Sequence, residues 1–123
     1  MSTPAGRIYF LSLGRQSRVM VMNDDGSDPK VLIEGLESKP DGIGADVARG
    51  RLYYTFMGVR FTGEDFWDND GYIESANLDG SDRKVLVPEG AFVTGKQLQY
   101  DKATDRIYWC DREGMRLMSA RPD

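Results

Sequence analysis

The fold turns on the run Asp105-Arg106-Ile107-Tyr108-Trp109-Cys110-Asp111. A short aromatic and β-branched segment that follows a turn residue has the composition of a β-strand. The same pattern stands twice earlier, as Gly6-Arg7-Ile8-Tyr9-Phe10 and Gly50-Arg51-Leu52-Tyr53-Tyr54, at offsets of 44 and 55 residues. Repetition at such a period outranks local propensity, because it defines the unit that must pack against its neighbours. Two further elements keep the register. Asp25-Gly26-Ser27-Asp28-Pro29-Lys30-Val31-Leu32 matches Asp79-Gly80-Ser81-Asp82-Arg83-Lys84-Val85-Leu86, 54 residues later, and Asp41-Gly42-Ile43-Gly44-Ala45-Asp46 aligns with Gly95-Lys96-Gln97-Leu98-Gln99-Tyr100-Asp101.

Every element reads as a strand. Tyr72 to Leu78 and Met115 to Met118 alternate with a period of two, and Arg18 to Met22 does so more loosely. Asp25-Gly26-Ser27 and Asp79-Gly80-Ser81 supply the positive-φ residue that a tight antiparallel turn demands. Lys30 to Ile33 and Lys84 to Val87 make short outer strands. No segment sustains a 3.6-residue period, so little or no helix is expected. Four short antiparallel strands in a repeat of about 40 to 45 residues describe the blade of a β-propeller. The expected blades are residues 6–33, 41–87 and 95–123, with three, four and three strands, ten in all.

These motifs resemble the YWTD blades of low-density-lipoprotein-receptor class B repeats. Tyr108-Trp109-Cys110-Asp111 stands where that family has its YWTD motif, and Leu78-Asp79-Gly80-Ser81 matches its LDGS turn. The order GRLYY, IxxAxLDGS, KVLV, GIGAD reproduces the family's blade and covers nearly the whole chain. Tyr9-Phe10-Leu11-Ser12 and Tyr53-Tyr54-Thr55-Phe56 keep the aromatic pair but lose the final Asp. The resemblance implies that the usual polar contacts of that Asp are missing from the first two blades.

Three blades do not make a ring, since propellers close with about four to eight. An open arc leaves apolar sheet faces and strand edges in water. Two completions are expected: another copy of this chain, giving a six-bladed disc, or the missing C-terminal half of a propeller, its remaining blades on another polypeptide or in sequence not included in these 123 residues. The start at a second strand and the end inside an expected Asp-Gly-Ser turn fit the latter reading.

With 123 residues, the chain has the size of one domain. It contains no histidine, which excludes an imidazole base, a Ser-His-Asp triad or a histidine-bound metal within it. Its one cysteine, Cys110, allows no intrachain disulfide and no CxxC site, so a cytoplasmic location is expected. A net charge of -4 and the lack of a basic block argue against nucleic acid, and no apolar run is long enough to span a membrane as a helix.

Binding chemistry is expected where the loops between the second and third strands, and between successive blades, surround the channel mouth. The longest of these, Met57 to Asp70, combines Phe61, Phe66 and Trp67 with Glu64, Asp65, Asp68 and Asp70. Long loops in compact folds are commonly functional. Either it forms a rim of aromatic anchors and carboxylates, or it folds over a neighbouring blade. Arg15, Arg60 and Arg112 fall on the same face and suit a carboxylate or phosphate, unless they are independently solvated. Phe92 is either an apolar wall of the site or a blade-packing residue. The candidate ligand residues are therefore Arg15, Arg60, Asp65, Phe66, Trp67, Asp68, Phe92 and Arg112. No cofactor is expected; Asp68-Asn69-Asp70-Gly71 fails the EF-hand pattern, leaving a looser calcium or magnesium site as the alternative. The functional expectation is a binding or scaffold module holding a protein or small ligand on its loop face. The alternative is a histidine-free propeller enzyme of hydrolase, lactonase or lyase type, with its site at the channel mouth.

Overall fold

The computed structural model describes residues 6–58 and 67–123. Its ten strands are β1 (Arg7–Ser12), β2 (Arg18–Asn23), β3 (Lys30–Ile33), β4 (Pro40–Asp46), β5 (Arg51–Phe56), β6 (Gly71–Asn77), β7 (Lys84–Phe92), β8 (Gly95–Asp101), β9 (Arg106–Asp111) and β10 (Arg116–Ala120). They form three antiparallel sheets with orders β1-β2-β3, β4-β5-β6-β7 and β8-β9-β10. Among the described residues there is no helix. The sheets are the three expected blades.

Two cores lie between the blades. The first joins Val19 and Ile33 of the first sheet to Leu52, Tyr54, Phe56 and Ala76 of the second. The second joins Tyr53, Ile73 and Phe92 to Leu98, Ile107 and Trp109 of the third. Successive residues of a strand point to opposite faces, so Tyr53 and Tyr54 serve different junctions. In the second blade the recurring aromatic pair is therefore what joins it to both neighbours.

The turns repeat in detail. The Ser27 and Ser81 amides each donate to the preceding Asp carboxylate at 2.9 Å, Asp25 and Asp79 respectively. Gly26 and Gly80 sit at φ 85° and 87°, where a side chain is strained. One element departs from expectation. The outer strand β7 runs on to Phe92 instead of ending at Val87, because register shifts around Ile73 bend it until Gly71 pairs with Phe92.

The position of the motif Asp is filled differently in each blade. Asp111 is buried and accepts from the amides of Thr94 at 2.9 Å, Val93 at 3.1 Å and Gly114 at 3.2 Å, and from the Arg116 guanidinium at 2.8 Å. This ties the β7–β8 link to the β9–β10 turn. Burial pushes its carboxyl up, but these hydrogen bonds outweigh burial and hold it below the ordinary value. In the second blade Phe56 stands there, fully buried and stacked on Tyr72 with ring centroids 4.4 Å apart. The Thr55 hydroxyl beside it accepts from the Gly42 amide at 2.8 Å. An aromatic stack replaces the polar pin.

A clamp joins the second and third blades at the β4–β5 and β8–β9 turns. The Arg49 guanidinium donates to both carboxylate oxygens of Asp105, at 2.5 and 2.6 Å, and to Asp46 at 2.9 Å. The Tyr53 hydroxyl donates to Asp46 at 2.7 Å and that of Tyr100 to Asp105 at 2.8 Å. Asp105 holds φ 52°, at the repeat position where the preceding blade has Gly50 at φ 70°.

Candidate functional site

Strand alternation places the β1–β2, β3–β4, β5–β6, β7–β8 and β9–β10 connections on one face of the arc, opposite the Arg49 clamp. Backbone hydrogen bonds brace them: the Met57 amide donates to the Lys39 carbonyl at 2.9 Å, and the Arg112 amide to the Thr94 carbonyl at 3.1 Å. This is the face on which the sequence placed its candidates.

Their placement is uneven. Arg60, Asp65 and Phe66 lie outside the described residues. Trp67 is 74% exposed and Asp68 beside it is exposed, so this end of the long loop presents an aromatic and a carboxylate to solvent. Arg15 is exposed on the β1–β2 loop, where it lines a cleft of about 270 Å³ with Ser17, Glu37, Ser38 and Lys39. Arg112 lines a separate depression of about 270 Å³ with Asp41, Lys96, Gln97 and Cys110. The two arginines therefore do not converge on one anion. Phe92 is fully buried against Trp109, with ring centroids 5.3 Å apart, and its side chain is committed to the junction between blades.

Sequence reading missed the polar cluster of the inner strands. Lys96 on β8 pairs with Asp41 on β4 at 3.4 Å, and the Gln97 amide donates to the same carboxylate at 3.2 Å. Asp41 and Lys96 occupy the same repeat position, 55 residues apart, with opposite charge. That inversion was the available signal. Gln97 stands at φ 52°, where the second blade has Gly42. Arg112 is paired with Glu113, its Nε donating at 2.8 Å, and this holds the Glu113 carboxyl below its ordinary value. The guanidinium thus reaches a ligand already half neutralised. Among the described residues no group of three carboxylate or thiol side chains is placed to hold a metal ion.

No protein-family model matches the chain. Low-density lipoprotein receptor-related protein 1 of Pyricularia oryzae is 38% identical over 133 residues, covering all of this chain and 41% of that protein. Low-density lipoprotein receptor-related protein 5 of Mus musculus is 29% identical over 113 residues, covering 92% of this chain and 6% of its own length. A solved chain of a nidogen/laminin complex superposes with a TM-score of 0.68 at 26% identity, over 88% of this chain and 40% of its own length. The chain belongs to the YWTD β-propeller family. This YWTD chain spans less than half the length of the relatives it matches.

These relatives overturn the cytoplasmic assignment, because receptor-related proteins and nidogen are typically extracellular or membrane-associated. The physical reason is plain. YWTD blades are held by strand ladders and aromatic junctions, and Cys110 is one free thiol in a strand, so a missing disulfide carries no information about redox compartment. Among the described residues no helix is long and apolar enough to cross a membrane.

Proposed function

We propose that this chain provides protein-binding blades of a YWTD propeller, with the loop face as the docking surface. The observation that carries the reading is Trp67, a large aromatic left mostly in solvent beside Asp68, on the face braced by the Lys39–Met57 and Thr94–Arg112 hydrogen bonds. Tryptophan and arginine are the residues that dominate protein interfaces, and a rigid scaffold lets them bind with little ordering cost. The structural relative from a complex of nidogen with laminin supports a protein ligand. The disc to which these blades belong is completed by further blades, from a second copy or from other polypeptide. The enzyme alternative is not favoured, since Arg15 and Arg112 open onto separate depressions and Trp67 and Asp68 line neither.

The test is capture of proteins from an extracellular extract on the immobilised chain, compared with a Trp67→Ala/Asp68→Ala variant. Both side chains are exposed, so melting should be unchanged while the captured species is lost. Equal capture by both proteins would remove the loop face as the docking surface.

A further inference from the structure

The two junctions between blades allow one connection to be compared with its own repeat. Pro40 stands opposite Phe56 in its ladder as Gly95 stands opposite Asp111, so residues 35–39 correspond one by one to residues 90–94. Gly35 and Gly90 accordingly both hold positive φ, at 71° and 104°. Glu37 and Ser38 therefore answer to Phe92 and Val93.

At the second junction this connection is closed. Phe92 is fully buried against Trp109, and the Asn69 side chain, from the end of the β5–β6 loop, donates to the Gly90 carbonyl. At the first junction a carboxylate and a hydroxyl replace the apolar pair. A cleft of about 270 Å³ remains there between the connection and the β1–β2 loop, lined by Arg15, Ser17, Glu37, Ser38 and Lys39. Arg15 is exposed and, among the described residues, has no ion pair, whereas Arg112 on the same face is tied to Glu113. Ser38 is 4% exposed, and its hydroxyl makes no hydrogen bond. The Tyr72 phenol is its electrostatic neighbour, without hydrogen-bond geometry between them. A buried hydroxyl without a partner is costly to the fold, and one placed on the wall of a polar cleft is satisfied by what the cleft holds.

We infer that this cleft binds a carboxylate group, the Arg15 guanidinium taking its two oxygens and the Ser38 and Ser17 hydroxyls donating to them. A guanidinium fork matches a carboxylate in bidentate geometry, which a lysine cannot reproduce. The lining also fixes the class of anion. Arg15 and Lys39 against Glu37 leave one net positive charge, which suits a singly charged carboxylate and disfavours a phosphate or sulfate dianion. The same chemistry is offered by an acidic side chain of a protein, by a chain end and by a free organic acid. The cleft lies between two blades that the chain itself contains, and it makes no use of Trp67 or Asp68. It therefore stands or falls apart from the docking reading of the loop face.

Nuclear magnetic resonance of the isotope-labelled chain tests it, with acetate, N-acetylglycine and aspartate blocked as its N-acetyl α-amide as the probes. Each acid should shift the amides of Gly14 to Ser17 and Leu36 to Lys39 saturably, and the blocked asparagine counterpart should shift none of them. Tightest binding of the blocked aspartate marks a side chain as the natural occupant, of N-acetylglycine a chain end, and of acetate a free acid. Arg15→Ala should weaken binding by about tenfold or more, with Arg15→Lys recovering only part of the loss. Ser38→Ala should weaken it by about three- to tenfold without lowering the melting temperature, because the hydroxyl it removes has no partner in the free chain. The Trp67→Ala/Asp68→Ala variant should titrate as the parent does, so a failure of protein capture leaves this result standing. No saturable shift from any of the acids, equal binding by Arg15→Ala, or tighter binding of inorganic phosphate or sulfate would each overturn the inference.

Discussion

Asp111 shows how much of a blade one side chain can organise. It collects three amides and a guanidinium into one buried carboxylate, so its removal strands the Val93, Thr94 and Gly114 N–H groups together. A buried donor without a partner costs about 1 to 3 kcal/mol. Asp111→Ala should therefore lower stability by about 3 kcal/mol, read as a lower urea midpoint, with Arg116→Ala costing much less because its amide partners stay satisfied. The position was legible in the motif, and so was the loss of the same contacts from the second blade. Its substitute was not. Phe56 stacks on Tyr72 from the adjacent strand, and cross-strand partners depend on register, which the motif itself does not state. Asp105 was likewise read only as a turn residue, because its bond to Arg49 joins residues 56 apart in the chain.

At the scale of strands and turns, the Asp-Gly-Ser signature was readable because it satisfies itself locally, the Ser amide closing on the Asp carboxylate. The two copies nevertheless differ in surroundings. A Cβ on Gly26 meets nothing within 4 Å, whereas one on Gly80 falls 2.4 Å from the Leu32 carbonyl oxygen. Gly26→Ala should cost about 1 to 2 kcal/mol, the left-handed backbone penalty alone. Gly80→Ala should cost more, because the turn must also move off the first blade. Thermal melting of the two variants checks the ranking, and equal losses would mean that the turn of the second blade is not seated on the first. The expected outer strand stopped at Val87, whereas β7 continues through Pro88 and Gly90 to Phe92. Proline is tolerated there because β7 is the outer edge of its sheet and owes no ladder hydrogen bond on that side.

Across the whole molecule, the number and order of strands followed from the repeat, while the location did not, since it rested on a cysteine count to which this architecture is indifferent. Of the candidate site, the exposed loop end was legible in its aromatic and acidic composition, and the Asp41–Lys96 cluster was not, because only folding sets the two inner strands side by side. Acid response belongs to this scale. Arg49 and Tyr100 hold the Asp105 carboxyl at about 2, and Asp46, Asp111 and Glu113 also lie below their ordinary values. Groups whose folded values are depressed stabilise the fold above their unfolded values near pH 4, and lose that contribution as pH falls through the folded ones. Melting temperature should thus hold level from about pH 8 to 5, where no histidine titrates, and fall between about pH 4 and 2. Asp105→Asn should flatten part of that fall; an unchanged acid limb would remove Asp105 from it.

The two junctions are made of different materials. Among the described residues, apolar side chains including Phe56 pack the first blade on the second, whereas the third adds the Asp41–Lys96 and Arg49–Asp105 ion pairs to its own apolar contact. Apolar contact weakens on cooling, and exposed ion pairs weaken in salt and acid. The arc therefore frays from its first blade in the cold and from its last in acid or brine, so the environment chooses which end of the chain comes loose.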